Sequence, residues 1–387
     1  MIIEPKDWRD VVVGVDMANG FLKSASSRSF NPLDCDIYLN TLTESNKEEY
    51  EQYLAGVSTE EVYFINNEYY KVGLVLQNSF KKQWDFTSRN TKKYYDEEWQ
   101  TAFIIAVYRQ IKHLNLMGSL HITTGLPAND DKKNTVKEYL KTVFEKKEHC
   151  VNGKPFTIEN VFFIGQGSAS FFNDLYNVNE DGDLQVNKRF LGETAPLDRN
   201  SVSKVLFLDT GFGTQDGRYT MDYVLQRESI ERPGMISVWK AIIKELTELN
   251  DKDDAQTRKK KLANEWLNDV DIHSIEDQIR EGKMIRKSHR EVDISEAYEK
   301  HMLEYAKETI KSIYIGGTFD NQEFDQVRFV GGGSKALEPF LIRAIDEHHS
   351  NDSEKKIYKF VPNPQTTNCL GYVKYGLASV KKLTKQR

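Results

Sequence analysis

The sequence predicts a two-lobed α/β protein with a duplicated architecture, and three observations carry that expectation. The chain has 387 residues, beyond the size at which a single hydrophobic core keeps growing, so two lobes of ordinary domain size are expected. Two continuous apolar strands, Val11-Val12-Val13-Gly14-Val15 and Val205-Leu206-Phe207-Leu208, each run into an aspartate, Asp16 or Asp209, and then into a glycine-containing turn. These aspartates lie 193 residues apart, half the chain, which is the spacing of a duplication rather than of a short tandem repeat. Strands and amphipathic helices alternate between them, the pattern of an α/β lobe.

Taken in order, Val11–Val15 reads as a strand buried on both faces, followed by the polar turn Met17-Ala18-Asn19-Gly20 and a return strand. The acidic and aromatic stretch from Glu44 to Tyr70 reads as part of a variable insertion in the first lobe. Asp96 is a plausible N-cap for a helix whose apolar positions Trp99, Phe103, Val107 and Leu114 keep helical spacing. Leu120–Thr124 reads as a strand stopped by Gly125-Leu126-Pro127, a helix runs through Val136, Leu140 and Phe144, and Val161–Ile164 is another buried strand. In the second half, helices are expected around Ile236–Leu249, Ala263–Leu267 and Tyr298–Ile313. The strand Val327–Val330 then breaks at Gly331-Gly332-Gly333-Ser334 before a helix from Ala336 to Asp346.

Composition narrows the function. Apolar residues make up 39% and charged residues 29%, the balance of a globular protein. The net charge of −6 gives no bulk attraction to nucleic acid or anionic lipid, so any link to DNA is expected to be indirect. The basic run Arg258-Lys259-Lys260-Lys261 sits among acids and reads as a solvated helix face. Cys35, Cys150 and Cys369 are far apart and lack CxxC or Cys/His spacing, so they read as three reduced thiols rather than a disulfide framework or a zinc site. No apolar run has the length of a membrane span and no signal peptide opens the chain, so a cytoplasmic protein is expected.

The chemistry is expected at the turns. Glycine lets a backbone approach a ligand closely and turn its amides inward, which is how a chain cradles phosphate oxygens. Two such turns facing each other would clamp a triphosphate, with Asp16 and Asp209 holding a hydrated Mg2+ through its waters and Lys23 reaching a phosphate oxygen. Glycine turns are also ordinary hairpin punctuation, and Asp16–Gly20 alone supports either reading. Asp209-Thr210-Gly211-Phe212-Gly213-Thr214-Gln215-Asp216 is more specific, with two acids, two glycines and a threonine. The amides of Gly331, Gly332, Gly333 and Ser334 can pack under a flat ring or a ribose ahead of a helix N-terminus, although a helix cap explains three glycines equally well. There is no GxxxxGK[ST] loop, no GxGxxG with an acid at ribose distance and no HExxH, so P-loop, dinucleotide and zincin chemistries are not indicated.

On these residues the sequence resembles the actin-like ATPase superfamily, which includes actin, sugar kinases and the ATPase domain of the large heat-shock chaperones. Asp16–Lys23 resembles its first phosphate loop, Asp209–Asp216 its second and Val330–Ser334 its adenosine loop. Ala18 and Asn19 depart from the family's pattern, where a glycine and, in actin, a hydroxyl residue are common. Thr123-Thr124-Gly125-Leu126-Pro127, Val161–Ala169 and Asn368-Cys369-Leu370-Gly371-Tyr372 resemble the ParM-type plasmid-segregation actins, the last two as crossovers between lobes.

The resemblance implies an actin-like two-lobed fold of duplicated RNase H-like domains with a nucleotide cleft between them. Residues 1–164 plus 369–387 would form the first lobe, with an insertion around 24–95, and 165–368 the second. It further implies ATP, or GTP, with Mg2+ held by Asp16 and Asp209, and nucleotide contacts from Asn19, Gly20, Lys23, Gly211, Phe212, Gly213, Thr214 and 331–334. Gln166 would orient the attacking water, as glutamine does in other NTPases, and Asp209 would accept its proton or polarise it. Glu276 would bond the ribose hydroxyls, or is a helical surface acid. Function would be ATP-dependent polymerisation that segregates plasmid DNA through a DNA-bound ParR-type adaptor in the bacterial cytoplasm, with no direct nucleic-acid or membrane contact. The alternative is a sugar- or acetate-type kinase of the same fold. A chaperone would append a peptide-binding domain, for which no room is expected before Arg387.

Overall fold

The computed structural model describes residues 10–18, 21–28, 34–73, 83–85, 91–116, 118–126, 134–179, 183–195, 203–270, 272, 275–314 and 324–386. The chain divides into two compact units, one of Met1–Ala195 with Gln365–Arg387, the other of Pro196–Pro364.

In the first unit β1 (Val11–Met17) and β2 (Phe21–Ser26) form an antiparallel hairpin, extended by β3 (Asp36–Leu39). A second, four-stranded sheet is built from β4 (Thr41–Glu44), β5 (Tyr63–Ile65), β6 (Glu68–Val72) and β7 (Gln83–Asp85), with a helix at Lys47–Leu54. This sheet is what the stretch read as an insertion forms. Arg109 ties it down, bonding Asp36 at 3.0 Å and also Glu61 while its guanidinium lies over the Tyr38 ring. The main sheet continues through β8 (Leu120–Leu126), β9 (Glu148–Val151) and β10 (Lys154–Gly165), in the order β3-β2-β1-β8-β10-β9. β1, β8 and β10 run parallel. A small hairpin of β11 (Tyr176–Val178) and β12 (Leu184–Val186) follows.

The unbroken apolar run of β1 has a simple cause, since alternate residues point to opposite faces of a sheet covered on both sides. Val11, Val13 and Val15 join a core with Trp99, Phe103 and Ile105 of the helix Glu97–Ile111, and Trp99, Phe103 and Phe144 stack in series. Val12 joins Cys369, Leu370 and Val373 of the C-terminal helix, Thr367–Gln386. Asp96 holds the N-cap position of its helix without a side-chain capping bond, and Leu114 lies past the helix end.

The second unit repeats the pattern. β13 (Lys204–Thr210), β14 (Thr214–Met221) and β15 (Val224–Pro233) form an antiparallel meander, and β13 is joined in parallel by β18 (Gln326–Val330) and then β19 (Tyr358–Phe360); β16 (Met284–Lys287) and β17 (Arg290–Asp293) make a separate hairpin. Leu206, Leu208, Trp239, Met302, Phe329 and Leu341 anchor one core beneath the helices Met235–Thr247, Ser295–Tyr314 and Gly332–His348. The helix expected at Ala263–Leu267 is two pieces, Ala255–Ala263 and a short 3-10 turn at Glu265–Asp269. Arg258, Lys259 and Lys260 stand exposed on the first of these.

The division differs from the expected one, which placed its first boundary at 164/165. The helix Ser168–Leu175 stays with the first unit because it packs along the C-terminal helix: Ser170 donates to Asn368 at 2.9 Å, and Lys374 donates to the Asn173 carbonyl at 2.7 Å. The two backbones touch at Ala169 and Gly371, where a Cβ on Gly371 would fall 1.9 Å from the Ala169 carbonyl oxygen. Both segments expected to cross between lobes, 161–169 and 368–372, therefore lie within the first unit. Gly371→Val is expected to lower unfolding free energy by about 1–3 kcal/mol, the usual cost of overpacking, read as a lower urea midpoint. An unchanged midpoint would mean that these helices do not touch.

Candidate functional site

Antiparallel pairing sets Asp16 directly opposite Lys23, with the Lys23 Nζ donating to Asp16 Oδ2 at 3.0 Å. Both side chains are buried, Asp16 to 1% exposure and Lys23 to 6%. Charges taken out of water are tolerated when paired, and removing one partner of such a pair typically costs about 3–5 kcal/mol. The other oxygen, Asp16 Oδ1, is buried with no hydrogen-bond partner among the described residues. Asn40 braces the turn by donating to the Ala18 carbonyl at 2.8 Å, a contact no local sequence signal announces. Asn19 and Gly20 lie outside the described residues.

The second turn is built the same way, with a different electrostatic result. Asp209, next to last in β13, stands opposite Asp216 of β14, so an acid stands where the first hairpin has a lysine. Burial, and then the neighbouring Asp209, push the Asp216 carboxyl up to about 7, although Thr214 donates to it at 2.8 Å. Asp216 Oδ1 is buried with no hydrogen-bond partner among the described residues. Gly211 N–H donates to the Thr214 carbonyl at 2.8 Å and closes the turn. The Phe212 side chain belongs to the apolar core, so this residue offers a ligand only its backbone.

Gly234 supports the turn from behind, and its signal in the sequence is the Pro233-Gly234 pair ahead of a helix. Its N–H donates to the Gly213 carbonyl at 3.0 Å, and a Cβ there would lie 2.5 Å from the Gly211 carbonyl oxygen. The third glycine cluster meets the second turn at the aspartate. Gly331 has φ +87°, which L side chains rarely adopt, and a Cβ on it would sit 2.1 Å from Asp209 Oδ1. Gly332 and Gly333 are the first residues of a helix rather than a loop ahead of one. Ser334 turns its hydroxyl to the Val330 carbonyl, closing its own turn.

Gln166 follows β10 in a half-buried turn, its N–H donating to the Leu126 carbonyl at 2.9 Å. Glu276, at the start of the short helix Glu276–Arg280, is 8% exposed, which removes the surface-acid reading and leaves its role open. The structure thus joins Asp16 with Lys23 in one unit, and Asp209, Asp216, Thr214, Gly211 and Gly331 in the other. Within each unit the candidates stand at the carboxyl ends of parallel strands: Asp16 and Gln166 at the ends of β1 and β10, Asp209 and Gly331 at the ends of β13 and β18. In open α/β sheets that edge is where ligands bind.

The donor set suits a magnesium ion. Among the described residues no group of three or more His, Cys, Asp or Glu is arranged to hold a metal, and Mg2+ characteristically takes one or two carboxylates with waters and phosphate oxygens for the rest. Each unit by itself supplies such carboxylates: the first Asp16, one oxygen of which has no hydrogen-bond partner among the described residues, and the second the adjacent Asp209 and Asp216.

Residues 237–364 match the family model of the Alp7A C-terminal domain. No curated protein matches the chain by sequence. Solved structures match nearly its whole length. A 15-stranded ParM filament from Clostridium botulinum superposes with TM-score 0.67 at 18% identity, covering 95% of this chain and 99% of that one. The actin-like protein Alp7A gives TM-score 0.63 at 14% identity over 98% and 99%. The fold is that of actin-like proteins of the ParM type. The archaeal actin homologue Ta0583 in complex with ADP gives TM-score 0.63 at 14% identity over 95% and 99%. In this actin-like fold the two hairpins ending in Asp16 and Asp209 are the repeated element.

The second turn makes a pH prediction. Because folding raises the Asp216 pKa, the native state holds a proton that the unfolded chain has released, so stability falls as pH rises from about 4 to about 7 and levels off above. Asp216→Asn is expected to remove that part of the slope in urea unfolding without metal or nucleotide. Parallel profiles for the two proteins between those limits would contradict the raised pKa.

Proposed function

We propose that this chain binds and hydrolyses ATP with Mg2+ and polymerises into filaments that segregate plasmid DNA through a DNA-bound adaptor of the ParR type. The observation that carries the reading is the repeated hairpin, in which a buried strand delivers a carboxylate to the carboxyl end of the parallel strands of a mixed sheet in each unit. The solved structures add support: one similar structure is a ParM filament, another an actin homologue with ADP.

In this reading Asp16 and Asp209 would hold the ion, and Lys23, already fixed by Asp16, presents its ammonium to a phosphate oxygen. A bound Mg2+ would neutralise phosphate charge. The turn 211–214 offers backbone amides, with Thr214 held by Asp216. Asn19 and Gly20 would contact the nucleotide from the first unit, and Gly331, Gly332, Gly333 and Ser334 serve the adenosine end with Glu276 at the ribose. Gln166 holds the attacking water through its side-chain amide, which orients without taking a proton, and Asp209 accepts that proton. GTP would fit the same phosphate contacts.

Asp209→Ala is expected to cut phosphate release by about 100-fold or more while leaving the circular dichroism spectrum unchanged, because the lost group faces ligand rather than core. Turnover near that of the wild type would take Asp209 out of the mechanism. Assembly is tested by sedimentation against protein concentration: a sharp critical concentration with Mg-ATP, rising with Mg-ADP, is expected. Protein that hydrolyses or transfers phosphate yet stays monomeric with either nucleotide would favour the kinase reading.

A further inference from the structure

Cys35 and Cys369 are separated by 334 positions in sequence, yet their sulfurs lie 3.7 Å apart, and the Cys369 thiol is within donating distance of both Cys35 and the Thr366 carbonyl, the latter at 3.2 Å. Neither is loosely placed. The next residue after Cys35, Asp36, is clamped by Arg109 at 3.0 Å and by Gln110 at 3.3 Å. Cys369 sits in the first turn of the C-terminal helix, fully buried against Val12, Ala25 and Val373. Cys35 is half-buried, so a small reagent reaches it first, and the bond from Cys369 holds its thiol below the usual range. Burial and Cys35 itself hold Cys369 high. One sulfur is thus half-buried with a lowered pKa, its partner fully buried beside it, which is the arrangement of a sensing thiol beside a resolving one.

We propose that Cys35 and Cys369 are a modification site for hydroperoxides, which convert the pair to a reversible disulfide. The Cys35 sulfur attacks the distal peroxide oxygen, the O–O bond breaks, and the leaving oxygen departs as water or an alcohol, leaving Cys35 as a sulfenic acid. The Cys369 sulfur then attacks Cys35 Sγ, the S–O bond breaks, and a second water leaves. In sum, two thiols and one peroxide give one disulfide, one alcohol or water, and one water. The sulfurs must close by about 1.7 Å to reach bonding distance near 2.05 Å, a shift within reach of side-chain torsions. The product fastens the C-terminal helix to the β2–β3 connection, one register position from Ser24 and two from Lys23.

The test is peptide mapping of the full chain after a modest molar excess of hydrogen peroxide, without reductant. A linked Cys35–Cys369 peptide in the larger part of the protein is expected, lost on adding dithiothreitol and retained in Cys150→Ser, whose exposed thiol is the control. Cys369→Ser should leave a dimedone-reactive sulfenic acid at Cys35, and Cys35→Ser should abolish the link. Should Cys369→Ser fail to fold, the wild-type map and Cys35→Ser still decide. Oxidation confined to Cys150, or Cys35 carried to sulfinic acid with no link to Cys369, would overturn the proposal.

Discussion

A fully buried strand that ends in a carboxylate is the constraint from which much of this structure follows. Burying an ionised acid is costly unless a partner or a proton offsets it, and the two units answer that cost differently. In the first, the hairpin register sets Lys23 opposite Asp16 and the pair is formed within a single turn of chain. In the second, the same register sets Asp216 opposite Asp209, and the answer is a proton held by Asp216 up to about pH 7.

That difference gives the two turns different chemical characters. An ion pair is internally balanced and presents one remaining oxygen, so the first turn positions a ligand more than it attracts one. Two adjacent acids in a buried setting are short of positive charge, and a divalent cation would relieve the deficit while displacing the Asp216 proton. On the proposed reading a cation would therefore be drawn chiefly to the second hairpin, where Thr214 holds the Asp216 carboxyl in place.

What the sequence made legible was local. The strands around Val13 and Leu206, the aspartates near their ends and the turn at 211–214 are short-range patterns, and each falls where its residues indicated. The helix pair that keeps 168–175 with the first unit was not legible, because it depends on Ala169 meeting Gly371 across some two hundred residues, and no periodicity encodes that contact. Asn40 reaching Ala18, Glu276 sinking below the surface and the Cys35–Cys369 approach were hidden for the same reason. Phe212 misled differently: a residue inside a glycine turn reads as loop, yet its ring is needed by the core beneath.

Gly331 shows how far such contacts reassign a motif. By resemblance the cluster 331–334 belongs to the adenosine end of a nucleotide, and its glycines would be explained by a flat ring overhead. In the structure the first of them touches Asp209, and any side chain there would collide with the carboxylate at 2.1 Å and with the Thr210 carbonyl oxygen at 2.7 Å. Parallel pairing of Asp209 with Val330 makes this contact inevitable, since the residue after Val330 must turn away just where the carboxylate emerges. Glycine at 331 is therefore demanded by the acid, whatever ligand the turn receives.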